Sequence, residues 1–295
     1  MSMPASALSL QQLSQAHTDL VLRAAPSIVA VHSTRSRSSG FVWRPGLIVT
    51  ADEALDDEGD LTVALPGGGM AAAKLAGRDP TTDVALLRID RTDLSPLTLE
   101  PTAPTAGALA WAVGSLQGAP IAAFGTVSFA GEAWRSFRGG EIDARIELDL
   151  SLRRAGEGGV ALDASGHAFG MVVFGPRRRV LVIPAPTIER VAAKLETHGR
   201  VARGYLGLGL QPTKLDGNSG IGVMVMSVDS NGPGAAAGVR QGDLIINWND
   251  LEIRSLRMLL QALGPDSVGS NVKLGLRRAG DPAEARLTIR ERPEP

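Results

Sequence analysis

Residues 153–170 read RRAGEGGVALDASGHAFG, and this stretch decides how the rest of the chain is read. Gly156, Gly158 and Gly159 crowd one turn, where residues without a Cβ let backbone pass close to backbone. After the turn come VALD and HAFGMVVF, short β-rich runs joined by the turn residues Ala-Ser-Gly. Outward from this hairpin the same grammar repeats in both directions: SIVAVHS, GFVW, GLIVTA, LTVALP, DVALLRID, ALAWAVG, IAAFGTVSFA, ARIELDL and VLVIP. Short Val/Ile/Leu segments separated by Gly, Pro, Asp and Ser predict an antiparallel all-β barrel or sandwich.

Two helical patterns frame this β region. Leu10, Leu13, Leu20 and Leu22 follow a weak helical period that stops at Pro26. Ile188, Val191 and Leu195 precede Gly199 and predict a helix with a glycine stop. From Gly204 a second β-rich unit begins, with strands at YLGLGLQP, GVMVMSV, DLIINWND, NVKLGLRR and EARLTIRE and a helix at SLRMLLQALG, N-capped by Ser255.

The 30 Lys+Arg and 31 Asp+Glu leave a net charge of -1, which excludes a field able to gather nucleic acid or an anionic membrane. Absence of cysteine removes disulfides, thiol nucleophiles and thiolate metal sites. The start has no basic-then-apolar leader and no run is long enough to span a bilayer. The expected location is therefore the cytoplasm for the chain as written, or the periplasm if an export signal has been trimmed.

The ordered set SSGFVW, GLIVTADEAL, AGRDPTTDVALLRID, GTVSFAG and RGYLGLGL, with PGAAAGVRQGDLI further on, resembles the HtrA family. The resemblance implies a mainly β protein: a trypsin-like double β-barrel followed by a PDZ domain. The expected partition is an N-terminal helical segment 1–25, a trypsin-like domain 26–185, a linking helix 186–203 and a PDZ domain 204–295. It also implies where a catalytic triad would stand. TADEAL places Glu53 at the histidine, TDVALL keeps Asp83 at the acid, and AGEGGV places Glu157 at the serine. Acyl transfer by such a site needs a hydroxyl activated by a neutral imidazole. The expectation is therefore a catalytically inactive homologue, a peptide- or protein-binding scaffold or regulator. The alternative is a member of the serine endopeptidase family with residual or unconventional hydrolysis, using paired carboxylates as acid and base. His32, on the N-terminal strand, and His167, in the turn ASGHAFG, are expected to be surface-turn or strand residues without a catalytic role.

If Glu53, Asp83 and Glu157 meet, with Asp52 at the rim, three outcomes are open. The glutamates point into water and bind nothing; or Ca²⁺, Mg²⁺ or Mn²⁺ sits among them; or Glu157 folds back onto the amides of the oxyanion hole. No cofactor and no firm metal site are expected. In the second unit the resemblance assigns Tyr205, Leu206, Gly207 and Leu208 to a carboxylate-binding loop. Leu256 and Leu260 are assigned to a groove for apolar side chains, while Leu259 and Leu263 face the core. Expected partners are C-terminal peptides or protein termini, with an active HtrA-type paralogue as a further candidate. A homo-oligomer is an open alternative, although the segment before Pro26 has no Phe, Tyr or Trp to act as a clasp.

Overall fold

A computed structural model describes residues 9–56, 59–102, 104–214 and 221–293. The chain forms two compact units. The first is built from the residues up to Trp134 together with Glu141–Arg200, and the second from Arg135–Gly140 and the chain from Val201 onward.

The first unit opens on helix α1 (Leu10–Ala24). Ser9 and Gln12 form a reciprocal capping box at its start, a signal that the leucine spacing alone does not carry. Six strands then close a barrel in the order β1-β2-β3-β6-β5-β4: β1 (Ile28–His32), β2 (Arg37–Arg44), β3 (Leu47–Thr50), β4 (Leu61–Ala64), β5 (Met70–Asp79) and β6 (Val84–Ile89). The inward β-branched and leucine side chains, among them Val29, Val31, Ile48, Val63 and Leu87, fill it. Closure leaves no unpaired edge, which is why strands this short are stable.

Strands β7 (Leu109–Leu116) and β8 (Ala119–Gly131) begin a second barrel, and two short strands, β9 (Trp134–Arg135) and β10 (Glu141–Ile142), follow them. The barrel then continues with β11 (Arg145–Asp149), β12 (Val160–Leu162), β13 (Ala168–Phe174) and β14 (Val180–Pro184), closing as β11-β14-β13-β12-β7-β8. Val127, Ile146, Phe169, Val172 and Val182 fill its interior. The architecture expected from the sequence, mainly β with two six-stranded barrels and a PDZ domain, is the one observed.

Helix α2 (Ala185–His198) ends where Gly199 adopts φ +71° and returns its N–H to Leu195 O. Set apart in the sequence reading as a link, α2 belongs to the first unit, because Ile188, Val191 and Leu195 are buried and the helix packs on β5, β6 and β13.

In the second unit, β15 (Gly204–Tyr205) pairs with β22 (Arg290–Glu291). A larger sheet runs in the order β16-β17-β18-β20-β21, formed by β16 (Leu208–Lys214), β17 (Ile221–Val228), β18 (Leu244–Trp248), β20 (Asn271–Arg278) and β21 (Asp281–Thr288), with β19 (Leu251–Glu252) on β18. Helices α3 (Pro233–Ala236) and α4 (Leu256–Ala262) complete it. Ser255 Oγ accepts from Met258 N–H at 3.1 Å, the cap expected from sequence. Buried Asp243 joins β18 to β20 by two charge-assisted bonds from Arg278, each 2.8 Å. The Arg278 bond, with the Arg240 N–H and the charge of both guanidinium groups, holds the Asp243 carboxyl below the usual carboxylate range against the opposing effect of burial.

Gly158 is the tightest of the three glycines in the turn before β12. Its φ is +82°, and a Cβ there would stand 2.2 Å from Ser39 O. Gly158→Ala is expected to destabilise the first unit by about 2 kcal/mol or more, through left-handed strain and backbone collision together. Thermal unfolding followed by circular dichroism checks this, and an unchanged midpoint contradicts it.

Candidate functional site

Three segments of the first unit carry the residues that the sequence singled out. Asp52 and Glu53 follow the end of β3, Asp83 immediately precedes β6, and Glu157 lies on the turn before β12. The β6 approach is shaped by Asp79, which is 3% exposed and accepts from Thr81 N–H, Thr81 Oγ1 and Thr82 Oγ1 at 3.1, 2.7 and 2.8 Å. That knot delivers Asp83 in a left-handed conformation, φ +58°, which Asp tolerates better than most residues. Asp83 Oδ1 then accepts the Glu53 N–H at 2.7 Å, so the acid is pinned to the backbone of the neighbouring segment.

Glu157 is buried. Its Oε1 accepts from Phe174 N–H at 3.3 Å, and its own N–H donates to Arg154 O at 3.1 Å within a 3₁₀ turn, Arg154–Gly156. The carboxylate therefore neither points into water nor folds onto the amides of its own turn, and the Glu157 amide is already occupied. The reason is geometric: the end of β13 offers a main-chain donor within reach of a glutamate, whereas the amides of Glu157, Gly158 and Gly159 are taken by Arg154 O, Val172 O and Gly156 O. Glu53 is exposed. Asp52 is not at a rim: it is 1% exposed and ion-paired to Arg78, Nε to Oδ1 2.5 Å. Among the described residues no group of three or more His, Cys, Asp or Glu is arranged to hold a metal ion, Glu53, Asp83 and Glu157 included. Their oxygens are already directed elsewhere, Asp83 to the Glu53 N–H and Glu157 to the Phe174 N–H.

Ser39, unremarked in sequence within SSGFVW, ties the two barrels together beneath this site. Its N–H donates to Glu157 O at 2.7 Å and its O accepts from Thr50 Oγ1 at 2.7 Å. Its Oγ donates to Ala155 O at 2.5 Å and accepts from Ser115 N–H at 2.8 Å.

The charges follow from this packing. Removal from water pushes the Asp83 carboxyl well above the usual carboxylate range, against the pull of the Glu53 N–H bond; the carboxylates of Glu53, Glu157 and Asp52 push the same way. Burial also raises Glu157, opposed by the Phe174 bond and by the guanidinium groups of Arg154 and Arg178. Arg178 lies 5.3 Å from the Phe174 ring centroid, and Arg177 and Arg178 both have positive φ. The sequence signal for this basic flank was the run RRR at 177–179. His167 is exposed beside Asp163 in a turn, and His32, the last residue of β1, is half-buried with Nε2 unpartnered.

In the second unit, Gly207 adopts φ +71°, and a Cβ there would stand 2.7 Å from Gly232 Cα. Leu206 O accepts from Gly234 N–H and Gly207 O from Asp229 N–H, each at 2.8 Å, while Tyr205 OH donates to Asp229 Oδ2 at 2.8 Å. The loop is thereby held by its carbonyls. Among the described residues the N–H groups of Leu206 and Gly207 donate to no backbone acceptor outside the strand ladders. The Leu206 side chain is core, and Leu208 packs partly on it. Strand β16 ends the sheet, paired on one side only, with α4 packed beside it. Leu259 is buried and Leu263 packs on the core as expected; Leu256 also packs partly on the core, and Leu260 is exposed.

The raised Asp83 carboxyl has a consequence for stability. Above its unfolded value, about 4, the unfolded chain releases a proton that the folded chain keeps. This contribution to stability is therefore complete at lower pH and is lost as pH rises through the raised folded value. Asp83→Asn keeps the acceptor for Glu53 N–H and abolishes the titration. It is expected to melt higher than the parent at pH 7, with the difference closing below about pH 4. Paired thermal scans across pH check this; parallel curves contradict it.

The sequence matches the family described as trypsin-like peptidase domain over residues 38–171, and the PDZ domain over residues 204–289. Similar proteins include a probable periplasmic serine endoprotease DegP-like of Bartonella henselae, 29% identical over 272 residues, covering 87% of this chain and 53% of that protein. One of the same description from Chlamydia trachomatis is 30% identical over 274 residues, covering 87% and 54%. The chain spans about half the length of these curated relatives. The crystal structure of the serine endoprotease from Yersinia pestis superposes with TM-score 0.72 at 26% identity, covering 99% of this chain and 100% of that one. The HtrA-type protease AlgW with decapeptide superposes with TM-score 0.72 at 23% identity, covering 95% and 99%. These comparisons correct the expectation of an inactive barrel: the relatives are named serine endoproteases and point to a protease. A trypsin-like peptidase domain followed by a PDZ domain, matched in order and in fold, supports the HtrA family for this chain.

Proposed function

We propose that the chain is an HtrA-type peptidase that holds peptides through its PDZ domain and hydrolyses them at the barrel site by carboxyl acid–base chemistry. The observation that carries this reading is the juxtaposition of Glu53 and Asp83, locked by the 2.7 Å bond, with Glu157 adding to the same field. In the step proposed, the Glu53 carboxylate takes a proton from a water whose oxygen attacks the peptide carbonyl. Asp83, whose burial favours its protonated form, gives its proton to the departing amine. The C–N bond breaks, the water's oxygen stays on the new carboxyl group, and proton exchange with solvent returns both groups to their starting state. The names of the relatives support a periplasmic location, and among the described residues no helix is long and apolar enough to cross a membrane.

Purified protein is expected to cleave denatured casein, insensitively to a serine-directed fluorophosphonate, with Glu53→Gln and Asp83→Asn each losing at least about a hundredfold in rate. Mass spectrometry of the products checks this. Absence of cleavage above the uncatalysed rate overturns the hydrolytic reading.

For the second unit, peptides with a free C-terminus and an apolar last residue are expected to bind in the micromolar range, about 8 kcal/mol. Main-chain addition to β16 and capture of the carboxylate by the Leu206 and Gly207 amides would supply this affinity. Amidating the terminus should weaken binding at least about tenfold. Equal affinity of the free and amidated peptides, measured by fluorescence anisotropy, contradicts capture by this loop.

A further inference from the structure

Beside the turn that carries Glu157, the first unit contains a cavity of about 300 Å³. Ala112 of β7, Ile121 and Ala123 of β8, and Leu152 give it an apolar wall, while Ser151 and Arg153 supply its polar groups. Gly156 also lines it, and the space is tight there: a Cβ on Gly156 would come within 2.8 Å of Leu152 Cδ1. The volume is many times the roughly 30 Å³ share of one water, enough to admit a side chain.

The charge of this cavity is one-sided. No acidic residue lines it, and among the described residues no carboxylate pairs with Arg153, which is exposed. Two acids stand four residues from Arg153: Glu157 directs its carboxylate to Phe174 N–H and has Arg154 and Arg178 as its cationic neighbours, and Asp149, at the end of β11, does not line the cavity. A glutamate side chain matches what remains: methylenes against Ala112, Ile121 and Leu152, and a carboxylate against the guanidinium of Arg153 and the hydroxyl of Ser151. A lysine or arginine entering the same space would face Arg153 with like charge.

We propose that this cavity is a specificity pocket for an acidic side chain of the bound peptide, with Arg153 as its counter-ion. The proposal rests on the reading of the first unit as a peptide site, and it is tested by binding so that hydrolysis is not required. The probes are two fluorescein-labelled decapeptides of Ala, Ser and Leu, identical except for a central Glu or Gln, both N-acetylated and C-terminally amidated to avoid capture at the PDZ loop. With the full chain at low salt, the Glu peptide is expected to bind about fivefold more tightly than the Gln peptide, and the gap should shrink as salt is added. The ratio should fall to about one in Arg153→Gln and invert in favour of a central-Lys peptide in Arg153→Glu. Because Arg153 is exposed, both variants are expected to fold as the parent does. Equal binding of the Glu and Gln peptides overturns the pocket while leaving the peptide site standing. Failure of every peptide to bind overturns both. Binding with the expected ratio but without cleavage supports the pocket and counts only against the hydrolytic step.

Discussion

Ser39 makes the first unit one object. Its backbone and hydroxyl bond to Glu157, Thr50, Ala155 and Ser115, so one small side chain on β2 joins the first barrel to the turn and to β7 of the second. Each bond contributes about 1 kcal/mol net, but stranding a buried partner costs about 1–3 kcal/mol. Ser39 is fully buried, and the glycines at 114 and 158 leave it room: a Cβ on Gly114 would stand 2.5 Å from its Oγ and one on Gly158 2.2 Å from its main-chain oxygen. The position of Glu157, and hence the site, depends on this junction.

Around the junction, electrostatics and packing oppose each other. Glu53, Asp83 and Glu157 occupy positions where like charge accumulates and water is partly excluded, and that raises Asp83 and Glu157. The fold tolerates this through local donors and cations: the Glu53 N–H on Asp83, the Phe174 N–H and two guanidinium groups on Glu157, and Arg78 on Asp52. A titratable group held away from its ordinary range in this way is the kind of group acid–base chemistry uses. The second unit works differently. Its loop spends carbonyls on internal bonds, so its shape is set by main chain more than by side chain.

By itself the sequence determined the β class, the succession of two β-rich units, the glycine stop at Gly199, the cap at Ser255 and the carboxylates at 53, 83 and 157. Each of these is carried by a local pattern of a few residues: turn chemistry, β-branched runs, a cap or a motif. Tertiary structure alone decided where those carboxylates point and what they touch. Closure of the barrels buries Asp52 against Arg78, turns Glu157 to Phe174 N–H, brings Ser39 under the turn, leaves Arg153 lining a cavity and folds α2 into the first unit. The partners in these contacts lie from 17 residues apart, as Glu157 and Phe174 do, to 116, as Ser39 and Ala155 do. Periodicity reports which face a residue shares with its near neighbours. Burial and hydrogen bonding across such separations are set by the register of strands that meet only when the barrels close.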